Sequence, residues 1–552
     1  MTGTFGSLNI AKTGLQYQQI AIDTASNNIA NVNNEDYVRR RAVASEVGGT
    51  STPVMWSTYT GHGDGVTAES VQRVTSALLD NRVRNESGTQ SYLEAQQASL
   101  SRVESAIGEP GDNGVSAALD GFVQSWQDLV SNPGGDGSTS GPAARLTVIS
   151  KGQDLAAAIN AQARNVVAEA DTQVVQAKTD VNQINSDAQQ IATLNHSIFL
   201  AQASGTDVSD LEDKRDALML DIAKVGGAVS TQQSDGQYNV TINGLTIVQG
   251  DKAGSIAIST SDGSGTAGNT APAGTLIDGD PNSSTYGQAL IDTATGDWSG
   301  AKLTYKLTYP DGGSAIAPIT SLGGDLGGVT SMLTTTPAGN GSLADYKASL
   351  DKLAQQLANT VNDVYSQGYD LNGNAGSSLA ATPGDYTTGN VGGYFFTNGD
   401  DPESSGTAWS TSYTVDALHL TVNSNVASNP NLIAASAAQS TDGSGNPVGN
   451  YDATNADKIS EALLGSDGSH PSISGIYQSM ITGLGTTINS LNTQTANQQS
   501  LTTQVTSERE QQVGVSIDEE TINLMQAEKA YQASARVLST MDSILDTLIN
   551  GM

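Results

Sequence analysis

The sequence predicts a mainly α protein with β-rich insertions. It is built from nested discontinuous domains: terminal coiled-coil helices, an elongated helical-bundle domain, and one or two outer β domains. Three observations lead there. Both ends of the 552-residue chain carry apolar stripes that step three and four residues at a time, the seam spacing of helices that pack on other helices. Long helical runs fill 76–225, 340–365 and 456–513. Between them lie two tracts with two-residue alternation and abundant Gly, Ser and Asn, the pattern of strands and turns.

The first stripe is Leu8, Ala11, Leu15, Gln18, Ile22, Ala25 and Ile29, with Lys12 and Asp23 as the charges along it. It runs into the cluster Asn27, Asn28, Asn31, Asn33 and Asn34, followed by Tyr37 and the run Arg39-Arg40-Arg41. Asparagine side chains compete for backbone hydrogen bonds, so they suit a helix end better than its interior. The helix is predicted to stop there, with Asn side chains satisfying its last carbonyls, and the arginine run reads as a solvated turn. Further helices are predicted over 76–107, 115–130, 143–159 and 166–200. DLEDKRDALMLDIAKVGG then forms a helix closed by Gly226-Gly227, a C-terminal glycine signal.

In 227–339, Tyr238, Val240 and Ile242 share one strand face. Asn243-Gly244 supplies a positive-φ hairpin turn before Leu245 and Ile247. KLTYKLTYPDGG repeats the alternation through Leu303, Tyr305, Leu307 and Tyr309. The tract 366–455 has short strands such as YTVDALHLTVN, and no Lys or Arg falls between Lys352 and Lys458. Both tracts are predicted to be exposed insertions. Between them, Leu343, Tyr346, Leu350, Leu353, Leu357, Val361 and Val364 line one helix face.

The closing stripe is Ile517, Leu524, Ala527, Tyr531, Ser534, Leu538, Met541, Leu545 and Leu548, with Glu520 as its one charged position. Glu519-Glu520 read as helix-start charges that favour the dipole. Neither terminal helix shows a second apolar face. The narrow seams therefore predict helices that pair with the opposite terminus and with neighbouring subunits, and that are marginal in a monomer. The predicted domains are 1–40 with 515–552 (terminal), 41–226 with 340–365 and 456–514 (helical), 227–339 (β-rich) and 366–455 (second β-rich insertion).

Composition narrows the function. Lys plus Arg is 24 and Asp plus Glu is 57, a net charge of −33, which argues against nucleic acid as a partner. The absence of cysteine excludes disulfides, thiolate catalysis and Cys-based zinc sites. Aromatics at 5% and 60 glycines suit a structural protein with thin cores. Met1-Thr2-Gly3-Thr4-Phe5-Gly6 lacks a basic n-region and an apolar h-region, and no stretch approaches the ~18 apolar residues of a membrane span. No membrane partner and no cleaved signal are expected.

No catalytic constellation is apparent. His62, His196, His419 and His470 are scattered, and neither a nucleophile elbow nor a phosphate loop occurs. Asp370, Asn372 and Asn374 have the alternate spacing of a calcium loop, but Ala375 and Ala381 stand where such a loop needs Gly and Glu. Catalytic residues, metal and cofactor are all expected to be none.

Ser26, Asn27, Asn28, Ile29, Asn31, Asn33, Tyr37 and Arg39 resemble the signature of flagellar rod, hook and hook-associated proteins, with Asp36 where the pattern has Gly. The segment Asp518-Glu519-Glu520, Asn523-Leu524, Ala530-Tyr531-Gln532-Ala533, Ala535 and Leu538 is similar to that family's closing helix. FVQSWQDLVSNPGG, INSDAQQIATLNHSI and GQYNVTINGLTIVQG resemble the hook-associated protein 1 branch, which sits at the hook–filament junction.

The resemblance implies a non-enzymatic structural subunit of the extracellular bacterial flagellum. It would pack its terminal helices through Leu8, Ala11, Leu15, Ile22, Ala25, Ile29, Leu524, Ala527, Tyr531, Leu538, Met541, Leu545 and Leu548. Its implied partners are other copies of itself, the hook protein, the second junction protein and the flagellar type III export apparatus. A cytoplasmic export chaperone would cover Leu538, Met541, Leu545 and Leu548. A hook or distal-rod subunit is the near alternative, and a secreted helical-stalk adhesin or enzyme the distant one.

Overall fold

The computed structural model describes residues 4–47, 65–109, 111, 114–134, 140–258, 291–292, 297–298, 304–318, 322–336, 339, 341–373, 375, 394–398, 415–441, 444, 447–448 and 451–550. In chain order the elements begin with α1 (Thr4–Ala30), β1 (Arg40–Glu46), β2 (Val66–Arg73), α2 (Ala77–Ile107), α3 (Val115–Ser131), α4 (Ser140–Ala203) and α5 (Ser209–Gly226). Strands β3 (Val229–Gln232), β4 (Tyr238–Ile242), β5 (Leu245–Gln249), β6 (Lys252–Ala253), β7 (Ser255–Ile258), β8 (Ile291–Asp292), β9 (Asp297–Trp298), β10 (Thr304–Thr308) and β11 (Ser314–Pro318) follow. Then come α6 (Gly324–Met332), α7 (Leu343–Tyr365), β12 (Phe396–Asn398), β13 (Leu420–Val422), α8 (Ser424–Ser428), β14 (Ser440–Thr441), β15 (Pro447–Val448), α9 (Thr454–Leu464), α10 (Ile473–Val513) and α11 (Ile517–Asn550).

The spine is α4, 64 residues or roughly 96 Å long at 1.5 Å per residue. The sequence suggests two helices here, at 143–159 and 166–200. They are one because nothing between them breaks a helix: residues 160–165 hold no Gly or Pro, and Ala163 and Val166 are buried. The reverse holds at 456–513. There Gly465, at φ +73°, caps α9, and Pro471 precedes α10, whose start Ser472 caps by accepting from the Gly475 N–H. Helices α2 and α10 run antiparallel, with Gln97 bonded to Asn492 and Gln498 to Glu86.

The first half of α4 packs with α3, α7 and β13; the second half packs with α5, β5, β6 and β7. In the four-stranded antiparallel sheet β3-β4-β5-β6, Ile242 pairs with Leu245 across a turn at Asn243 (φ 48°) and Gly244 (φ 76°). Val240, Ile242, Ile247 and Val248 are buried against the helices. Asn195 of α4 fixes the sheet, donating to the carbonyls of Tyr238 and Gly250 (both 2.8 Å). A second sheet, β11-β10-β7, closes through Gly312 (φ 91°) of the Pro-Asp-Gly turn.

Two expectations about the insertions are corrected. The tract 366–455 does not simply project outward. Phe395 and Phe396 are fully buried beside Phe122, Trp126 and Tyr365, with ring centroids 5.0–6.1 Å apart. Leu420, Val422 and Ile433 join the same core. The chain has five Phe and four Trp, and the helical body draws on this tract for a large share of its aromatic packing. Within 227–339, residues 324–332 are a helix wedged among α2, α4 and α5. A Cβ on Gly328 would meet the Tyr92 carbonyl at 2.4 Å, so glycine is what admits α6 there.

Candidate functional site

Helices α1 and α11 pack antiparallel. Asn28 meets Glu520 at one end of the contact, and Gly14 faces Ser534 further along, where an added Cβ would lie 3.3 Å from the Ser534 Oγ. Ala11, Ala25 and Ala527 are buried in the seam, and Leu8, Leu15, Ile22, Ile29, Leu524, Leu538, Met541 and Leu545 are half-buried. Tyr531 is exposed, and the side chain of Leu548 lies outside the described residues. The expectation of no second apolar face is overturned. Ile522, Met525, Val537 and Ile544 lie 41–51% exposed on α11; at 100° per residue Ile522 and Met525 fall opposite the seam, and Val537 and Ile544 flank it. Ile10 and Ile20 are similarly exposed on α1.

One polar node pins this pair. The Asn28 side chain is fully buried and uses all four of its hydrogen-bonding positions. Its amide donates to the Arg40 carbonyl (2.8 Å) and to Glu520 Oε2 (3.0 Å). Its oxygen accepts from the Tyr37 hydroxyl (2.8 Å) and the Arg40 N–H (3.0 Å). Arg39 donates through Nε to Glu520 Oε1 (2.8 Å) and pairs with Glu519 (3.0 Å). Two residues 492 positions apart thus share one buried contact. Burial raises the Tyr37 hydroxyl above its ordinary pKa, keeping it a donor, while Arg40 beside it acts in the opposite sense.

Of the signature residues, Asn28, Tyr37 and Arg39 converge here. Asn31 instead closes the helix, its side chain donating to the Asn27 carbonyl (2.9 Å). Ser26, Asn27 and Asn33 are exposed. Asp36 keeps a negative φ, Asn243 being the non-glycine residue with positive φ among those described. Its N–H bonds to Asn34 Oδ1 at 3.2 Å, so the turn asks for no glycine.

Three residues carry more than the sequence suggested. Arg39 and Arg40 are ion-paired rather than solvated, and Glu520 is a buried tertiary partner as well as a first-turn carboxylate. The available signal was Glu520 itself, the one charged residue in the stripe.

The chemistry decoys resolve as local pairs and turns. His419 sits against Asp416, His470 against Asp467 and His196 near Asp251. His62, Asn374 and Ala381 lie outside the described residues. Asp370 accepts from the Asn372 N–H (2.8 Å) in a turn with Gly373 at φ 77°. Among the described residues, no group of three metal-ligating side chains gathers, and no helix is long and apolar enough to cross a membrane.

Residues 100–287 and 275–379 match the family model of the flagellar hook-associated protein FlgK helical domain. Residues 8–37 match the flagella basal body rod protein model, and 508–551 the C-terminal model of flagellar basal body rod FlgEFG proteins. Flagellar hook-associated protein 1 of Bacillus subtilis is 27% identical over 559 residues, spanning 100% of this chain and 99% of its own. Its counterpart in Salmonella typhimurium is 26% identical over 600 residues, spanning 98% and 99%. The solved structure of the flagellar hook junction protein FlgK from Burkholderia pseudomallei superposes with TM-score 0.55 at 18% identity. It covers 78% of this chain and 99% of that one, a likeness of fold.

Proposed function

The chain belongs to the FlgK family of flagellar hook-associated proteins, and from that premise we propose that its terminal helices hold it at the hook–filament junction. It is a structural subunit of the extracellular bacterial flagellum and not an enzyme. The observation that supports assembly through the ends is the Asn28–Glu520 node, which ties residue 28 to residue 520 and presents one composite helix pair. The exposed apolar side chains Ile522, Met525, Val537 and Ile544 are what a neighbouring subunit would cover, removing apolar area from water at roughly 25 cal/mol per Å². Residues 1–40 with 515–552 form the inner layer in this proposal, and the helical body stands outside it.

Export proceeds unfolded through the flagellar type III apparatus, without a cleaved signal. A cytoplasmic chaperone covers Leu538, Met541, Leu545 and Leu548 during transit. By the antiparallel register Leu538 and Met541 lie level with α1 in the folded chain, so chaperone and α1 compete for one surface. The second junction protein and the hook protein are the axial neighbours.

Deleting the gene should leave intact hooks that lack filaments in electron micrographs; missing hooks would place the protein in the rod or hook instead. Truncating 515–552 should abolish hook attachment and chaperone binding while the far-ultraviolet signal of the helical body persists.

A further inference from the structure

The terminal unit of α1, β1, β2 and α11 joins the rest of the chain through two short connections, 74–76 and 514–516. At the second, Gly514 is extended (φ −72°, ψ 165°), and a Cβ there would meet the Glu510 carbonyl at 2.4 Å. Such short connections leave the angle between unit and body to be fixed by whatever bridges them.

What bridges them is charged. Strand register sets Arg40 of β1 directly opposite Arg73 of β2, and like charges in that position destabilise a hairpin. Both guanidiniums turn onto the start of α5. Arg73 Nε donates to Asp213 Oδ1 (2.7 Å), and Arg40 Nη2 donates to Asp213 Oδ2 (3.0 Å). One buried carboxylate thus takes an arginine on each oxygen. Arg73 also reaches Asp216 (2.6 Å) and Glu212 (3.4 Å), and Arg40 reaches Asp210. From α2, Arg84 lies 3.7 Å from Asp216 and bonds Ser230 of β3 (2.9 Å).

Taken apart, each half is strained: two arginines repel across the hairpin, and four carboxylates crowd one helix start. The dipole of α5 offsets part of the second cost, since it favours anions at that end, but it does nothing for the first. Docked, the two sets neutralise each other. A contact whose halves are each unfavourable alone is held strongly or not at all, which is the property of a catch.

We propose that Arg40, Arg73 and Asp213 form a latch that sets the angle between the terminal helix pair and the helical body, with a released state reached by pivoting at 74–76 and 514–516. The chain has no cysteine, so pairs of introduced cysteines can be spin-labelled cleanly. Labels at Gln189→Cys and Gln532→Cys report unit against body, and Gln189→Cys with Asn497→Cys reports the body alone. All three positions are exposed.

The full chain should give one narrow distance for the first pair. Asp213→Asn, which keeps the shape and removes the charge, should raise a second population by roughly tenfold or more, as expected for losing charge-assisted bonds. Asp213→Glu, which keeps the charge, should restore much of the original distribution. An unchanged distribution in Asp213→Asn, with the control pair intact, overturns the latch. If Asn at 213 disturbs the control pair, Arg40→Gln decides, because it removes one bond to Asp213 from the hairpin side. No second population there overturns the proposal equally.

Discussion

Asn28→Ala removes the buried amide at the centre of the node between the chain ends and leaves the Arg39 pairs with Glu519 and Glu520 in place. Four hydrogen bonds disappear, leaving Glu520 Oε2, the Tyr37 hydroxyl and both backbone groups of Arg40 short of a partner. At ~1 kcal/mol for a typical bond and more for the charged acceptor, the loss comes to ~4 kcal/mol. Water entering beside the partly exposed Tyr37 and Arg40 recovers some of it, leaving about 3 kcal/mol. With one decade per ~1.4 kcal/mol, amide protection of residues 20–29 and 520–530 in the monomer should fall roughly 100-fold.

Residues 8–20, far from the node and held by a thin seam, should be weakly protected already and change little. Asn28→Asp keeps the shape but points a carboxylate oxygen at Glu520 and at the Arg40 carbonyl. It should lose at least as much. Hydrogen exchange with mass spectrometry reads all three regions at once. Unchanged protection in 20–29 would refute the node as the anchor. Strong protection of residues 8–20 would refute the marginal character of the ends.

Phe395→Ala should cost ~3–5 kcal/mol of the body's unfolding free energy in urea, as for a buried aromatic, whereas an exposed insertion would tolerate it. Gly328→Ala gains up to ~1 kcal/mol of helix propensity but drives a methyl into the Tyr92 carbonyl, so a net loss of ~1–3 kcal/mol is expected from overpacking, read by the same titration. Burial, reinforced by the neighbouring Asp325, pushes the Asp180 carboxyl up to about 7. The native state therefore holds a proton that the unfolded chain has released near pH 4, and this contribution to stability is lost as pH rises from about 4 through about 7. Asp180→Asn should flatten that part of the pH–stability curve and raise the melting temperature at pH 8, measured by calorimetry. An unaltered slope would show that the pair does not titrate there.

The helices were legible because their signals are local. The 3.6-residue period, the Gly227 stop and the Asn243-Gly244 turn each act within a few residues, and tertiary packing does not reverse them. The unbroken α4 was missed although the evidence was an absence, six residues without Gly or Pro. The role of 394–398 and 415–441 was not legible at all. A polar tract looks exposed until the aromatic demand of the core around Trp126 is known, and that demand is set by residues hundreds of positions away. Among the signature residues, the helix end could be read from Asn chemistry, but the partner of Asn28 could not. Glu520 and Arg39 each have a satisfactory local explanation, one as a dipole charge and the other as a solvated turn.

A polar node suits this position better than a larger apolar seam. The α1–α11 contact is lined largely by alanine and half-buried aliphatics, which pack nearly as well one heptad out of register as in it. Two helices brought together from opposite ends of the chain have no short loop to fix their register. Asn28 and Glu520 do so, because a one-heptad slip would bury both without partners, at ~1–3 kcal/mol or more for each stranded group. The same polarity keeps the unpaired helices soluble. A seam strong enough to specify register by hydrophobicity alone would expose a long apolar face whenever the ends are apart, with the aggregation hazard such patches carry. Separating register, which is polar and specific, from assembly, which the proposed function assigns to the exposed Ile522, Met525, Val537 and Ile544, would let each end remain marginal alone and well defined once joined.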